Sequence, residues 1–576
     1  KAKRFWMEDA MSSTNLRQDY LPPEEFLPRN CSLLPELEYP DRVNLAEVFL
    51  DANVVKHADK IAIYHEAERI TYGELQIQVN QFANALRGLG VGKNDRVAIR
   101  AANIPEYFVW VFACWRIGAI PVLLSHLDRA DVVAFKLSDA DVVAACVDTE
   151  SYADVEKARN ECPNLRHVIV HGERIPGTLS FRELLPGQPE HAVSEDTSRE
   201  DFARIMYSSG TTGKPKGILT KVEGILPVPD MTGRHVLKVR PDDVLGGHPY
   251  YSFAFGAAAF LFMPWRFGAA VSVISRFSPE RMFQLIEEHG ITVLSCVPTA
   301  FRMMLGIIDA EKRYKLSTLR LGQSAGEPLP EATFREWRQR FGQPIINTLG
   351  SGELNYWLST REDTPDDKIG SVGLTIPGYE CLVVDEDLEP VPPDTPGELI
   401  LRGPLGQLYW RRPDAQQEGV CPPASNYAGW SRPSLNVVED QDGYFWYRSR
   451  IDDMIISASY KIPGGEVEAA LNSHPAVLES AVIGVPDEER SSIVKAFVVL
   501  KDGVSPNEGL VQDLQDFVKQ KIEPYKYPRL IEFSAADALP RTTTDKIQRN
   551  VLRDREVARL DRERLAAVTQ TASDAR

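Results

Sequence analysis

The chain has 576 residues, 65 of them Lys or Arg against 82 Asp or Glu, for a net charge of −17. That length exceeds what one hydrophobic core can organise and corresponds to about four domain-sized units. So acidic a chain is repelled at long range by nucleic acid and by anionic membranes, which excludes them as expected partners and leaves any anionic substrate to be held by local positive charge. In chain order, a Pro-rich irregular leader precedes residues 44–50, whose apolar spacing predicts a helix. Residues 61–64 then read as a strand, and a helix opens at Thr71 and runs to about Leu89. The order repeats with a strand at 96–99, a helix at 104–117 and a strand at 120–124, and similar alternation recurs over 243–347. Strands alternating with helices predict parallel sheets covered on both faces. The most apolar segment, 253–265, is about a dozen residues long and contains Gly256 and Pro264. It is too short and broken to span a bilayer and reads as a buried helix. Over 370–401 Pro/Gly-punctuated strands dominate, predicting a small barrel-like unit, and 465–532 read as a compact βα alternation. Residues 555–576 read as a helix end followed by a polar, disordered tail. His167 and His171 flank a strand-like run and carry no metal-ligand pattern. The seven cysteines are scattered with no CxxC, and residues 1–13 lack an apolar signal core, so a cytoplasmic protein with reduced thiols is expected.

The segment Tyr207-Ser208-Ser209-Gly210-Thr211-Thr212-Gly213-Lys214-Pro215-Lys216-Gly217 has the composition of a polyphosphate grip. Its glycines let backbone N–H groups turn toward an anion, its hydroxyls add donors, and Lys214 and Lys216 supply charge. It is not a Walker A loop, because Gly210 and Gly213 enclose two residues rather than four and Lys214 is followed by proline. The strand-like 202–207 precedes it and the apolar Ile218-Leu219 follows, which places it between core elements.

This segment resembles the phosphate-binding signature of the adenylate-forming superfamily: acyl- and aryl-CoA synthetases, peptide-synthetase adenylation domains and firefly-type luciferases. The resemblance extends over about 44–549 and is strongest to the benzoate and aminobenzoate ligase type. It implies an α/β fold with α+β character toward the C-terminus: a large N-terminal domain of βα-layered sheets with the small barrel-like β unit (1–451), a small mobile C-terminal α/β domain (452–554), and the tail (555–576). Asp452 occupies the family's hinge position. The reaction implied is AMP-forming activation of a hydrophobic carboxylic acid by ATP with Mg²⁺, followed by transfer to CoA.

Site residues follow from the same resemblance. Ser208, Ser209, Gly210, Thr211, Thr212, Gly213, Lys214 and Lys216 would hold the ATP phosphates. Gly326 and Glu327, then Asn347, Leu349, Gly350 and Ser351, resemble the segments lining the adenine and acyl sites, and Arg450 would contact ribose or phosphate. Glu353 falls where the family's Mg²⁺-binding glutamate stands, with Thr212 as a second oxygen donor. Lys546, in Pro540-Arg541-Thr542-Thr543-Thr544-Asp545-Lys546, resembles the mobile lysine that reaches the reacting carboxylate; a compact charge on a flexible stem suits that task. His248, Tyr250, Tyr251 and Phe253, with Ser324 and Ala325, resemble the acyl pocket, and these aromatics with Phe255 and Trp357 suggest an apolar, ring-containing acid. Ser457, Ser459, Tyr460 and Lys461 resemble the loop that builds the CoA tunnel.

Four positions depart from the family pattern. Leu435 falls where an aspartate binds the ribose hydroxyls, and losing such a charge-assisted pair costs about 1.5–3 kcal/mol, unless Asp440 or Asp442 substitutes. Gly352 replaces a threonine that touches the α-phosphate, Ser459 replaces a tunnel glycine, and Asp545 replaces the glycine before Lys546. These departures touch both half-reactions. They leave open a divided ligase working with a second ligase or acyl-carrier partner, a non-catalytic adenylate-binding relative, and luciferase-type chemistry, beside the complete acyl-CoA synthetase.

Overall fold

The computed structural model describes residues 21–208, 215–327, 329–450, 453–457, 460–487, 491–542 and 547–574. Thr71 closes a capping box: its hydroxyl accepts from the Glu74 amide at 3.2 Å while the Glu74 carboxylate accepts from the Thr71 amide at 2.8 Å. The helix Tyr72–Gly88 that follows matches the expected 71–89. In the helix Glu106–Arg116 every residue from Tyr107 onward is buried, as expected of a helix that is apolar all round. The buried stretch 253–265 is helical but irregular, with a wide π-type turn over Ala257–Phe262 between the short helices Ala254–Gly256 and Met263–Phe267.

Among the described residues the chain forms two compact units. The first runs to Leu382 and takes in Ile400–Pro433 and Gln441–Phe445. It contains two large mixed sheets. One has the spatial order Leu374–Thr375, Asn355–Ser359, Ile345–Ser351, Leu321–Ser324, Val293–Ser295, Val244–Gly247, Ala270–Val273, Ile61–His65, Glu68–Thr71. Its pairings from Ile345–Ser351 through to Ile61–His65 are parallel and its outer pairings antiparallel. The other has the order Tyr409–Trp410, Lys216–Lys221, Phe202–Ser208, Ile120–Leu123, Arg96–Arg100, Ala144–Asp148, His167–His171, Leu179–Ser180. Its strands are parallel except for Lys216–Lys221, which runs antiparallel to both its neighbours. Strands buried on both faces read as unbroken apolar runs, which is why the alternation over 96–124 is legible in the sequence.

The leader is tied down over residues 26–39. The Arg29 amide donates to the Gly429 carbonyl at 3.0 Å and the Cys31 amide to the Gly403 carbonyl at 2.8 Å. The Tyr39 hydroxyl donates to Asp230 at 3.0 Å, a carboxylate that is fully buried and also held by Arg266. Pro28 lies so close to Gly406 that a Cβ there would stand 2.0 Å from the proline Cβ.

The second unit comprises Val383–Leu399, Ser434–Asp440 and the chain from Trp446 on. Pro396, Gly397 and Glu398 pair antiparallel with Val438, Val437 and Asn436. Farther along, Val477–Asp487 and Ser491–Leu500 form a long antiparallel pair, and Leu530–Phe533 adds in parallel to the second strand. The helices Gly464–Asn472 and Glu508–Lys521 supply Val467, Leu471, Leu514 and Val518 to a core completed by Ile455, Ile462, Val482 and Val494. The last helix spans Arg549–Asp574 and so runs on through the stretch expected to hold a helix end and then a polar tail; its Arg, Glu, Ala and Leu are strong helix formers. No described helix is long and apolar enough to cross a membrane.

Candidate active site

In open α/β sheets ligands bind beyond the carboxyl ends of the parallel strands. Three neighbouring strands of the nine-stranded sheet end close to register, and the fourth runs on past them to Ser351: Gly247 lies opposite Ser295, Ser295 opposite Gln323, and Ser324 opposite Asn347. His248, Ser324-Ala325-Gly326-Glu327 and Leu349-Gly350-Ser351 stand at or just beyond these ends, so residues far apart in the chain are brought to one edge.

On the acyl side, the His248 ring lies 4.8 Å from Phe277, and its Nδ1 has no hydrogen-bond partner among the described residues. Burial alone lowers its pKa to about 4, so the imidazole is neutral at physiological pH. Tyr250 packs edge-on against His126 at 4.3 Å and lies 6.4 Å from Phe253. Ser324 is fully buried with a hydroxyl that has no partner among the described residues, and Ala325 beside it is also buried. Tyr251 is not brought to this wall. It is 1% exposed, with its ring among Tyr107, Phe108 and Phe260 and its amide donating to Asn103. Trp357 is likewise a core residue, 1% exposed, while Phe255 packs edge-on against Tyr356.

On the phosphate side, Ser208 and Lys216 end the two antiparallel strands that flank the glycine-rich segment and sit opposite each other. Ser209, Gly210, Thr211, Thr212, Gly213 and Lys214 lie outside the described residues. Glu353 follows the strand Ile345–Ser351; its amide donates to the Ser351 hydroxyl at 3.3 Å and its Oε1 accepts from the Tyr409 hydroxyl at 3.0 Å. The other carboxylate oxygen takes no hydrogen bond from the described residues. Glu353 also lines a cavity of about 90 Å³ together with Leu27 and Pro28 of the leader, Lys221, Glu223 and Leu405. No group of three or more His, Cys, Asp or Glu gathers as a metal cage among the described residues. Mg²⁺ commonly takes only one or two carboxylates, with phosphate oxygens and water completing its shell, and a half-buried carboxylate with one oxygen not engaged by the described residues fits that donor set.

Gly352 has a structural cause. A Cβ at that position would stand 2.5 Å from Cδ1 of Ile218, so the isoleucine that follows the glycine-rich segment occupies the space of the family's threonine side chain.

Glu327 accepts from the Thr299 hydroxyl at 3.4 Å beside Gly326. Asn347 is buried, and its side-chain amide donates to the Ser371 carbonyl at 2.9 Å while its backbone amide donates to the Thr360 hydroxyl. That donor is occupied inside the sheet. Leu435 is buried at the start of its strand, and neither acidic neighbour is unengaged: Trp446 donates to Asp440 at 2.9 Å, and Asp442 pairs with Lys368 at 2.5 Å. Arg450 closes the strand Phe445–Arg450. Ser457 is buried at the end of Met454–Ser457 and pairs with Tyr460 at the start of the strand that also holds Lys461. The side chains of Arg450, Tyr460 and Lys461, and all of Asp452, Ser459, Asp545 and Lys546, lie outside the described residues. Tyr409, Ile218, Phe277 and His126 escape the sequence reading. Each acts through a partner distant in the chain, and Leu408-Tyr409-Trp410 alone reads as an ordinary apolar strand.

Residues 50–410 match the model of the AMP-binding enzyme family, and residues 466–546 match that of the AMP-binding enzyme C-terminal domain. The chain is 34% identical over 526 residues to the benzoate–CoA ligase of Thauera aromatica, covering 90% of this chain and 97% of that protein. It is 33% identical over 510 residues to the acetyl-coenzyme A synthetase of Bacillus subtilis, covering 86% and 87%. Among solved structures, an anthranilate CoA ligase in complex with anthranoyl-AMP superposes with a TM-score of 0.84 at 31% identity, over 91% of this chain and 99% of that one. A benzoate CoA ligase from Burkholderia xenovorans superposes with a TM-score of 0.79 at 29% identity, over 89% and 100%.

Proposed function

The chain belongs to the AMP-binding enzyme family, and from that premise we propose that it joins an apolar, ring-bearing carboxylic acid to CoA through an acyl-adenylate. The reaction is ATP-dependent and AMP-forming. A carboxylate oxygen attacks the α-phosphorus of ATP, the bond to the β-phosphate oxygen breaks, and pyrophosphate leaves. The CoA sulfur then attacks the acyl carbon, AMP departs with the bridging electron pair, and the thiol proton passes to solvent.

Such a reaction asks mainly for positioning and for neutralisation of phosphate charge. Ser208, Lys216 and the glycine-rich residues between them would cradle the outer phosphates, with Lys214 adding charge. Glu353, joined by Thr212, would hold Mg²⁺, which when bound offsets phosphate charge in the departing pyrophosphate. His248, neutral by burial, would meet the substrate carboxylate without a full charge that would trap it. Lys546 would follow the charge as it moves to the bridging oxygen. The division at Asp452, with 1–451 and 452–554 exchanging between the two half-reactions, and the tunnel role of Ser457, Ser459, Tyr460 and Lys461 belong to the same proposal.

One observation carries this reading: the strand pair ending at Ser208 and Lys216 is tied to Glu353 through Tyr409, so the phosphate-binding segment and the candidate metal carboxylate share one support. Phe277 beside His248, with Tyr250 and Phe253 near it, favours a ring over a short aliphatic acid. Among the described residues no disulfide joins any of the seven cysteines, which accords with a reducing compartment such as the cytoplasm. A divided ligase with a partner protein is the second reading, favoured by the buried Leu435 where a ribose-binding carboxylate is expected. Pyrophosphate release and mass spectrometry on the purified chain, with ATP, Mg²⁺ and aromatic, alicyclic and fatty acids, with and without CoA, decide between them. Acyl-CoA made by the chain alone supports the complete ligase. Acyl-AMP without thioester supports the divided one, and no pyrophosphate with any acid overturns adenylation.

A further inference from the structure

We propose that Tyr409 is a positioning residue that orients the Glu353 carboxylate for metal-bound ATP, an inference that rests on the reading of Glu353 as the metal ligand. Tyr409 is 9% exposed, and its ring is fixed from several sides. Ile218 and Ala415 pack against it, and its Cε2 stands 3.3 Å from where a Cβ on Gly419 would be. Its backbone amide donates to Oε1 of Gln416 at 2.9 Å, and Gln416, fully buried, donates in turn to the Gln407 and Phe26 carbonyls. The hydroxyl is therefore a donor at a set place rather than a rotor searching for an acceptor, and it meets Glu353 Oε1 at 3.0 Å.

The second half of the argument is topological. Tyr409 and Trp410 pair antiparallel with Ile218 and Gly217, the residues on which the phosphate-binding segment ends. Trp410 is so close to Gly217 that a Cβ there would stand 2.9 Å from the Trp410 Cβ. Two residues therefore hold both the C-terminal anchor of that segment and one oxygen of the metal carboxylate. Groups behind a metal ligand fix its orientation and raise its affinity, and losing one commonly weakens metal binding 10–100-fold. With Oε1 held by Tyr409, Oε2 is the oxygen presented to the ion.

The test is Mn²⁺ binding to the full-length protein saturated with α,β-methylene-ATP, read by electron paramagnetic resonance of free Mn²⁺, for Tyr409→Phe, Glu353→Gln and the double variant. Tyr409→Phe deletes one oxygen and keeps the packed ring, and melting temperature monitors its fold. The expected result is about tenfold weaker Mn²⁺ binding in Tyr409→Phe, unchanged binding of the analogue measured without metal, and a double variant no weaker than Glu353→Gln. If Glu353→Gln weakens binding and Tyr409→Phe does not, the positioning role falls while the metal-ligand reading stands. If Glu353→Gln binds Mn²⁺ normally, that reading fails and takes this inference with it. Equal losses from Tyr409→Phe in the native and Glu353→Gln backgrounds place its action elsewhere and overturn the proposal.

Discussion

Gly352 and Ile218 are two halves of one packing choice. Since a Cβ at 352 would stand 2.5 Å from the Ile218 Cδ1, Gly352→Thr alone is expected to force the Ile218 side chain into another rotamer beside the phosphate-binding segment and to lower kcat/KM for ATP. Ile218→Ala in the same chain vacates the space, so the double variant should recover activity, with a coupling of about 1 kcal/mol between two contacting sites. A double-mutant cycle on pyrophosphate release measures it, and additive losses would show that the contact does not govern the site. His248 supports a prediction in pH. Its folded pKa, lowered to about 4 by burial, lies below the ordinary value near 6.5. Between those values the unfolded chain takes up a proton that the folded one refuses. The contribution of His248 is therefore fully present above about pH 6.5 and is lost as pH falls toward 4, by about 3 kcal/mol at most. His248→Asn should flatten the decline of melting temperature over that window, and an unchanged slope would contradict a buried neutral imidazole.

The leader is the element whose attachment is most sharply testable. Gly406→Val places atoms where Pro28 now packs, so residues 26–31 should lift while the sheets persist. Hydrogen–deuterium exchange should then lose protection at the Arg29 and Cys31 amides, which donate to Gly429 and Gly403, with little change in peptides from the parallel strands. Protection retained at both amides would mean that the leader docks independently of Gly406. Elements were legible in the sequence where local pattern and tertiary demand agree. Arg96–Arg100, Ile120–Leu123 and Phe202–Ser208 are apolar runs because both faces of their sheet are covered, and Tyr72–Gly88 announces itself through Thr71 and Glu74. The π-type turn over Ala257–Phe262 was not legible, because a uniformly apolar stretch carries no periodicity to distort. Within the site, the strand ends holding His248, Ser324 and Ser351 follow from the alternation. The orientation of Tyr251 toward the core and the contacts Tyr409–Glu353 and Ile218–Gly352 depend on sheet neighbours that no short window of sequence contains.

At the scale of the whole molecule, the chain from Trp446 on carries a core of its own, built among others from Ile455, Val467, Val482, Val494, Leu514 and Val518. A fragment of residues 446–576 is therefore expected to fold cooperatively by itself, with mixed α/β circular dichroism and a sigmoidal thermal transition, and to release no pyrophosphate from ATP. A flat melt would show that the strands Pro396–Arg402 and Leu435–Glu439 are needed to complete it. The docked leader bears on how the molecule is made. Its partners Gly403, Gly406 and Gly429 are synthesised long after Pro28 and Arg29 leave the ribosome, at about 5–20 residues per second. For tens of seconds the first-made part of the described chain thus has no surface to lie on, and Leu27 and Pro28 stay in reach of proteases and chaperones until the last strands of the first unit arrive. The leader is in that sense a completion signal: it can be put away only once the body it fastens has been built.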